Sequence, residues 1–145
     1  MTTKAEIWQT WAERYLNTAD PTPLFATDDS LSVEHKHHGK DDRRILKRSD
    51  EMETLVRSEG RKVINDWSTT DDTYDGLIYL MYWLEDGEVV PLYIGKAGKY
   101  GRDGEGLSAN LRGLRGASTG KFARWGDGHY YHIGNLSAIV FDNDK

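Results

Sequence analysis

The side chains of this 145-residue chain best suited to chemistry are two tyrosines, Tyr79 and Tyr93, and the cations that follow them. A phenol orients or deprotonates an attacking water when a neighbouring cation lowers its pKa. Residues 93–124 hold seven cations, Lys96, Lys99, Arg102, Arg112, Arg115, Lys121 and Arg124, against two acids, Asp103 and Glu105. Arginine holds a phosphate through paired donors and stabilises charge that develops during phosphoryl chemistry. The window carries +5 in a chain of net −5, so the remainder carries −10. That segregation points to an anionic partner docking on one face, although solvated loops also gather charge by chance. Five glycines in residues 95–106 let a backbone approach its ligand and aim N–H groups at phosphate oxygens. The loop lacks the Gly-Lys-Ser/Thr ending of a nucleotide-triphosphate site. Together these residue types suit a phosphodiester, and a carboxylate-bound divalent cation normally completes such a site.

The tyrosines need a rigid support, and the pattern supplies one. Leu77-Ile78-Tyr79-Leu80-Met81-Tyr82-Trp83 is a nearly continuous apolar and aromatic run, as in a strand buried on both faces. Asp86-Gly87 is a strong turn signal, and Val89 to Ile94 reads as the return strand, with Pro91 near an edge. The return strand runs directly into Gly95-Lys96. Residues 107–115 read as a short helix with Leu107, Leu111 and Leu114 on one side and Arg112 and Arg115 on another. Residues 132–141 read as a third strand with its core near Leu136–Phe141.

The first half of the chain reads as helical. Ile7, Trp8, Trp11, Ala12 and Tyr15 form an aromatic stripe on a helix over 3–17, expected to pack, and Asp20-Pro21-Thr22-Pro23 ends it. Residues 24–48 are poorly patterned apart from a short strand permitted at Leu31–His35. The cluster Glu34-His35-Lys36-His37-His38 is interleaved with lysine and lacks a second cluster, so a solvated loop is expected rather than a metal site. A second helix spans 49–66, capped by Ser49, with Gly60 expected to end or bend it. A polar linker over 68–73 separates the halves.

Composition sets limits. The length is that of one domain able to bury a core unaided. The absence of cysteine excludes disulfides, thiolate catalysis and cysteine zinc sites and fits a cytoplasmic protein. No apolar run approaches the roughly 18–20 residues of a membrane span, and the N-terminus has no signal-peptide core.

The hairpin resembles the signature of the GIY-YIG nuclease family, especially its restriction and repair types. Leu77-Ile78-Tyr79 stands for the first triplet and Tyr93-Ile94-Gly95-Lys96-Ala97 for the second. The likeness covers about residues 76–145, giving a domain over 74–145 preceded by a helical extension over 1–73. It implies an α+β fold, a small antiparallel three-stranded sheet flanked by helices. It also implies a magnesium-dependent endonuclease acting on double-stranded DNA. Tyr79 is then the residue that activates water, Tyr93 lies near the scissile phosphate, and Gly95 lets the DNA backbone approach. The catalytic arginine falls on the first helix after the hairpin. Simple alignment puts Asn110 there, Arg112 is favoured, and Arg102 and Arg115 are in reach. Lys96, Lys99, Arg102, Arg115, Lys121 and Arg124 are expected to contact nucleic acid, and His129 or His132 to carry protons unless they are plain loop histidines.

Three departures qualify the likeness. Leucine replaces the first glycine, with Gly76 one place early, and the two tyrosines are further apart than usual. No residue matches the metal-binding glutamate of the family's last helix, and neither Asp103 nor Glu105 stands in its place. The domain as given is therefore expected to lack its catalytic helix. The alternatives are a non-catalytic nucleic-acid-binding module, or an interaction domain in which the helices over 3–17 and 49–66 do the work.

Overall fold

A computed structural model describes residues 1–17, 20–38, 40, 42–115 and 140–141. In chain order its elements are α1 (Lys4–Tyr15), β1 (His35–His38), β2 (Arg43–Leu46), α2 (Asp50–Thr69), β3 (Gly76–Glu85), β4 (Glu88–Gly98) and α3 (Ala109–Arg115). The architecture is α+β. Among the described residues there are two antiparallel two-stranded sheets, β1–β2 and β3–β4. The third strand expected over 132–141 lies mostly outside the described residues, and its described members, Val140 and Phe141, are helical.

Helix α2 is the spine. The Ser49 hydroxyl accepts from the Met52 amide at 3.0 Å and donates to the Pro23 carbonyl, fixing both the helix start and the chain before it. Asp50, Glu51 and Glu53 fill the first turn, where the helix dipole favours acids. The helix ends at Thr70, a left-handed cap with φ of 59°. It runs through Gly60 without a break, contrary to expectation. A Cβ at Gly60 would lie 2.5 Å from Leu114 Cδ1, so the glycine is the notch that seats α3 on α2. Met52, Val63 and Ile64 of α2 join Leu107, Leu111 and Leu114 in one buried cluster. Burying each such side chain contributes about 1.5–3 kcal/mol.

The segment before α2 is more ordered than its pattern implied. The histidines expected in a loop form β1, with His35 opposite Leu46 and His37 opposite Arg44. Phe25 and Thr27 bridge to Arg48 and Val33, so three passes of chain lie side by side. The buried Arg48 guanidinium pairs with Glu53 at 3.0 Å.

Helix α1 departs from its expected packing role. Thr3 and Glu6 form a capping box, yet no residue of the helix is buried. Its aromatic stripe is satisfied along the helix itself. Trp8 stacks on Trp11 at 5.6 Å, and Trp11 meets Tyr15 at 5.4 Å. Among the described residues, no helix is long and apolar enough to cross a membrane.

Candidate nucleic-acid interface

The hairpin folds around a two-residue turn. Asp86 and Gly87 both have positive φ, 51° and 84°, the backbone that matches the right-handed twist of paired strands. The register places Tyr79 opposite Gly95 and Met81 opposite Tyr93. Alternate residues of a strand share a face, so both tyrosines and Gly95 lie on one side. A bulge between Met81 and Tyr82 leaves Leu92 without a partner, and Pro91 sits beside it, where its missing N–H is tolerated.

The tyrosine rings are 5.9 Å apart and tilted by 34°. Tyr79 lies flat across Gly95. A Cβ there would come within 2.3 Å of Tyr79 Cζ and 2.4 Å of its oxygen. Gly95 therefore admits a phenol ring of its own chain, which differs from the role of admitting DNA. Tyr79 also packs against the buried cluster. Burial raises its pKa to about 12, helped by the charge of Tyr93 and a hydrogen bond with it. The shift is opposite to what proton abstraction near neutral pH requires. In this state Tyr79 is a neutral phenol, able to orient a water or an oxygen by hydrogen bonding.

Lys99 was expected among the nucleic-acid contacts, and the structure corrects this. Its side chain is 1% exposed and its ammonium bonds Asp66 at 2.8 Å and Asp72 at 3.0 Å. Hydrogen bonding to Asp66 raises its pKa, and the same bond holds Asp66 down at about 2. Asp66 further accepts from the amides of Thr73 and Tyr74. The main chain of Lys99 donates to Asp75 and accepts from Ser108. One residue thus ties α2, the segment after it, β4 and the start of α3 together. The polar stretch over 68–73 is a fastened connection, the first part of it helical.

The glycine-rich loop also differs from expectation. Tyr100 and Leu107 bridge its ends. Inside it the Gly101 amide donates to the Gly106 carbonyl and the Gly104 amide to the Gly101 carbonyl. The Asp103 carboxylate accepts from the amides of Glu105 and Gly106 at 3.3 and 3.4 Å. Those N–H groups are spent on closing the loop and do not cradle phosphate.

What the loop does build is a cleft of about 700 Å³ between β4, itself and α3. Lys96, Arg102 and Arg112 line it, with Asp103 as the acid and Asn110 and Ser108 on the α3 side. None of the three cations forms an ion pair with another described residue, and all are exposed. Neither tyrosine of the pair is among its lining residues. Arg115 stands apart, its guanidinium 5.4 Å from the Trp67 ring centre. Lys121, Arg124, His129 and His132 lie outside the described residues.

Tyr100, half-exposed on the cleft wall, was not singled out in the sequence. Its signal was there, an aromatic residue inside a cationic, glycine-rich stretch. Among the described residues no three histidine or acidic side chains converge as a metal group. Asp103, the carboxylate of the cleft, is engaged by loop amides. The described residues do not make a magnesium site. The chain matches no protein-family model, and no curated protein or solved structure is significantly similar to it.

Proposed function

We propose that this chain is a DNA-binding domain of the endonuclease type, related to the GIY-YIG nucleases, whose partner is the phosphodiester backbone. The observation that carries the reading is the cleft lined by Lys96, Arg102 and Arg112, unpaired with described residues and opening where β4 leaves the tyrosine face. Three cations against one engaged acid suit successive phosphates, which are recognised chiefly by charge and by arginine's paired donors. The Tyr79–Tyr93 pair supports the nuclease side of the reading. The two rings sit on one face of the paired strands, Tyr79 on β3 and Tyr93 on β4 just before Gly95 and Lys96, and the Tyr79 phenol suits positioning an oxygen. Restriction or repair is the setting this likeness favours.

The test is DNA affinity as a function of salt, by fluorescence anisotropy. Each phosphate contact contributes about 0.9 to the slope of log affinity against log salt on duplex DNA. Arg102→Gln and Arg112→Gln should each lower the slope by roughly one and weaken binding several-fold. No binding at low salt would remove both the nuclease and the plain DNA-binding readings and leave the interaction domain. Magnesium-dependent nicking of plasmid DNA that Tyr79→Phe abolishes would establish hydrolysis. Binding without nicking would leave a non-catalytic DNA-binding module.

A further inference from the structure

The cleft contains more than phosphate ligands. Tyr100 is 45% exposed and forms part of its wall. The buried Lys99 ammonium lies over the Tyr100 ring at 5.1 Å, and two carboxylates hold that ammonium in place. The ring is thus a fixed platform, whereas an exposed tyrosine with no neighbours would rotate freely. On the α3 side Ser108 contributes to the wall, with its Oγ closed off from solvent. Asn110 adds an exposed amide with donors and an acceptor. Arg102 and Arg112 supply positive charge at the same opening.

Phosphate alone does not use an aromatic wall and a side-chain amide beside the cations. A nucleotide uses all of them: a flat base, polar base edges and a phosphodiester on either side. The volume of about 700 Å³ is in the range of clefts that enclose a small-molecule group. A paired base inside a duplex cannot offer its face to a side chain, whereas unpaired bases stack readily on aromatic rings.

We propose that the cleft captures one unpaired nucleotide of a DNA strand. The base stacks on Tyr100, its edge meets Asn110, and the flanking phosphates meet Arg102 and Arg112. The preferred DNA is therefore one with a single-stranded end, flap or gap. This inference rests on the DNA-binding reading and adds to it the kind of DNA preferred.

The experiment compares three fluorescein-labelled probes by anisotropy at fixed salt: a blunt duplex, the same duplex with a short thymidine overhang, and that overhang with its bases replaced by abasic sites. The last keeps the phosphates and removes the stacking surface. The wild-type chain should bind the overhang about tenfold more tightly than the other two. Tyr100→Ala should abolish that preference, while Tyr100→Phe retains it. Arg112→Gln should weaken all three. Equal wild-type affinity for the overhang and its abasic form would overturn the proposal, and needs no variant to fold. Displacement of the overhang by micromolar thymidine monophosphate would overturn it too, because the site would then take free nucleotides. Failure to bind any probe at low salt would instead remove the DNA-binding reading beneath it.

Discussion

The tyrosine face of the hairpin and the cleft beside it share strand β4 yet offer opposite environments. On the face, Tyr79 is half-buried against apolar side chains, pressed onto Gly95 and held neutral. In the cleft, Lys96, Arg102 and Arg112 are exposed and charged. Lys96 lies within β4, whereas Lys99 stands just past its end, where the chain bends. Lys96 reaches solvent, and Lys99 goes inward to Asp66. Two lysines of one motif thus do unrelated work, one available to a phosphate and the other locking the loop that forms the cleft. Charge is thus held at the rim, and the partly buried Tyr79 phenol lies apart from it.

The strongest way to break this division is to cut the lock. Asp66→Asn leaves a buried ammonium facing only Asp72, whose side chain is largely exposed. Uncompensated buried charge is among the most destabilising changes a fold can receive. Thermal unfolding should therefore show the largest loss for Asp66→Asn, and Lys99→Met should follow it. Lys62→Met serves as the control, since it breaks only an exposed pair with Glu59 and should change the midpoint little. The pH dependence has a definite sign. The Asp66 pKa is lowered from 3.8 to about 2 in the fold, so its stabilisation is complete above about 4. It is lost as the pH falls toward 2, and the Asn variant should lack that part of the acid transition. Equal midpoints for Asp66→Asn and Lys62→Met would show that the lock holds nothing.

A smaller change separates the two regions by volume. Gly95→Ala forces a methyl into the Tyr79 ring and should cost about 1–3 kcal/mol by denaturant unfolding, the usual range for overpacking. Gly101→Ala, on the cleft side, meets Asp103 Oδ1 at 3.0 Å, the end of a side chain that can give way, and should cost less. If the contact with Tyr79 is the cause, Tyr79→Ala combined with Gly95→Ala should be less destabilising than the two single effects added. Simple additivity would dissociate the glycine from the ring.

These contrasts mark what was legible in the sequence. The hairpin could be read because Asp86-Gly87 and the flanking aromatic runs are local signals, whereas the register shift at Met81/Tyr82 left no such mark. The α3 stripe and the Ser49 cap were likewise local. Gly60 was misread because the reason for it, Leu114, lies far along the chain. Lys99 was misread for the same reason: charge in a window says nothing about Asp66, 33 residues away. The strands around His35 and Leu46 escaped because four-residue strands of mixed polarity carry almost no period. The α1 stripe has the spacing of a packed helix, and spacing cannot reveal that none of its residues is fully buried.

The finest test concerns the ionisation of Tyr79. Its protonated form is favoured by the fold, with a pKa of about 12 against an ordinary 10.0. The related stabilisation is complete below about pH 10 and disappears as the pH rises toward 12. Following phenolate absorbance from pH 9 upward should reveal a tyrosine that ionises near the end of the range, absent in Tyr79→Phe. Tyr93→Phe removes the neighbouring charge and hydrogen bond but leaves the burial, the largest cause. It should move that ionisation only part of the way back. A Tyr79 that titrates near 10 in the wild type would mean the phenol is solvated, and the face would then no longer differ from the cleft in dryness. If it titrates near 12, any hydrolysis that depends on Tyr79 at neutral pH uses a neutral phenol to position its water, and the acceptor of the proton lies elsewhere.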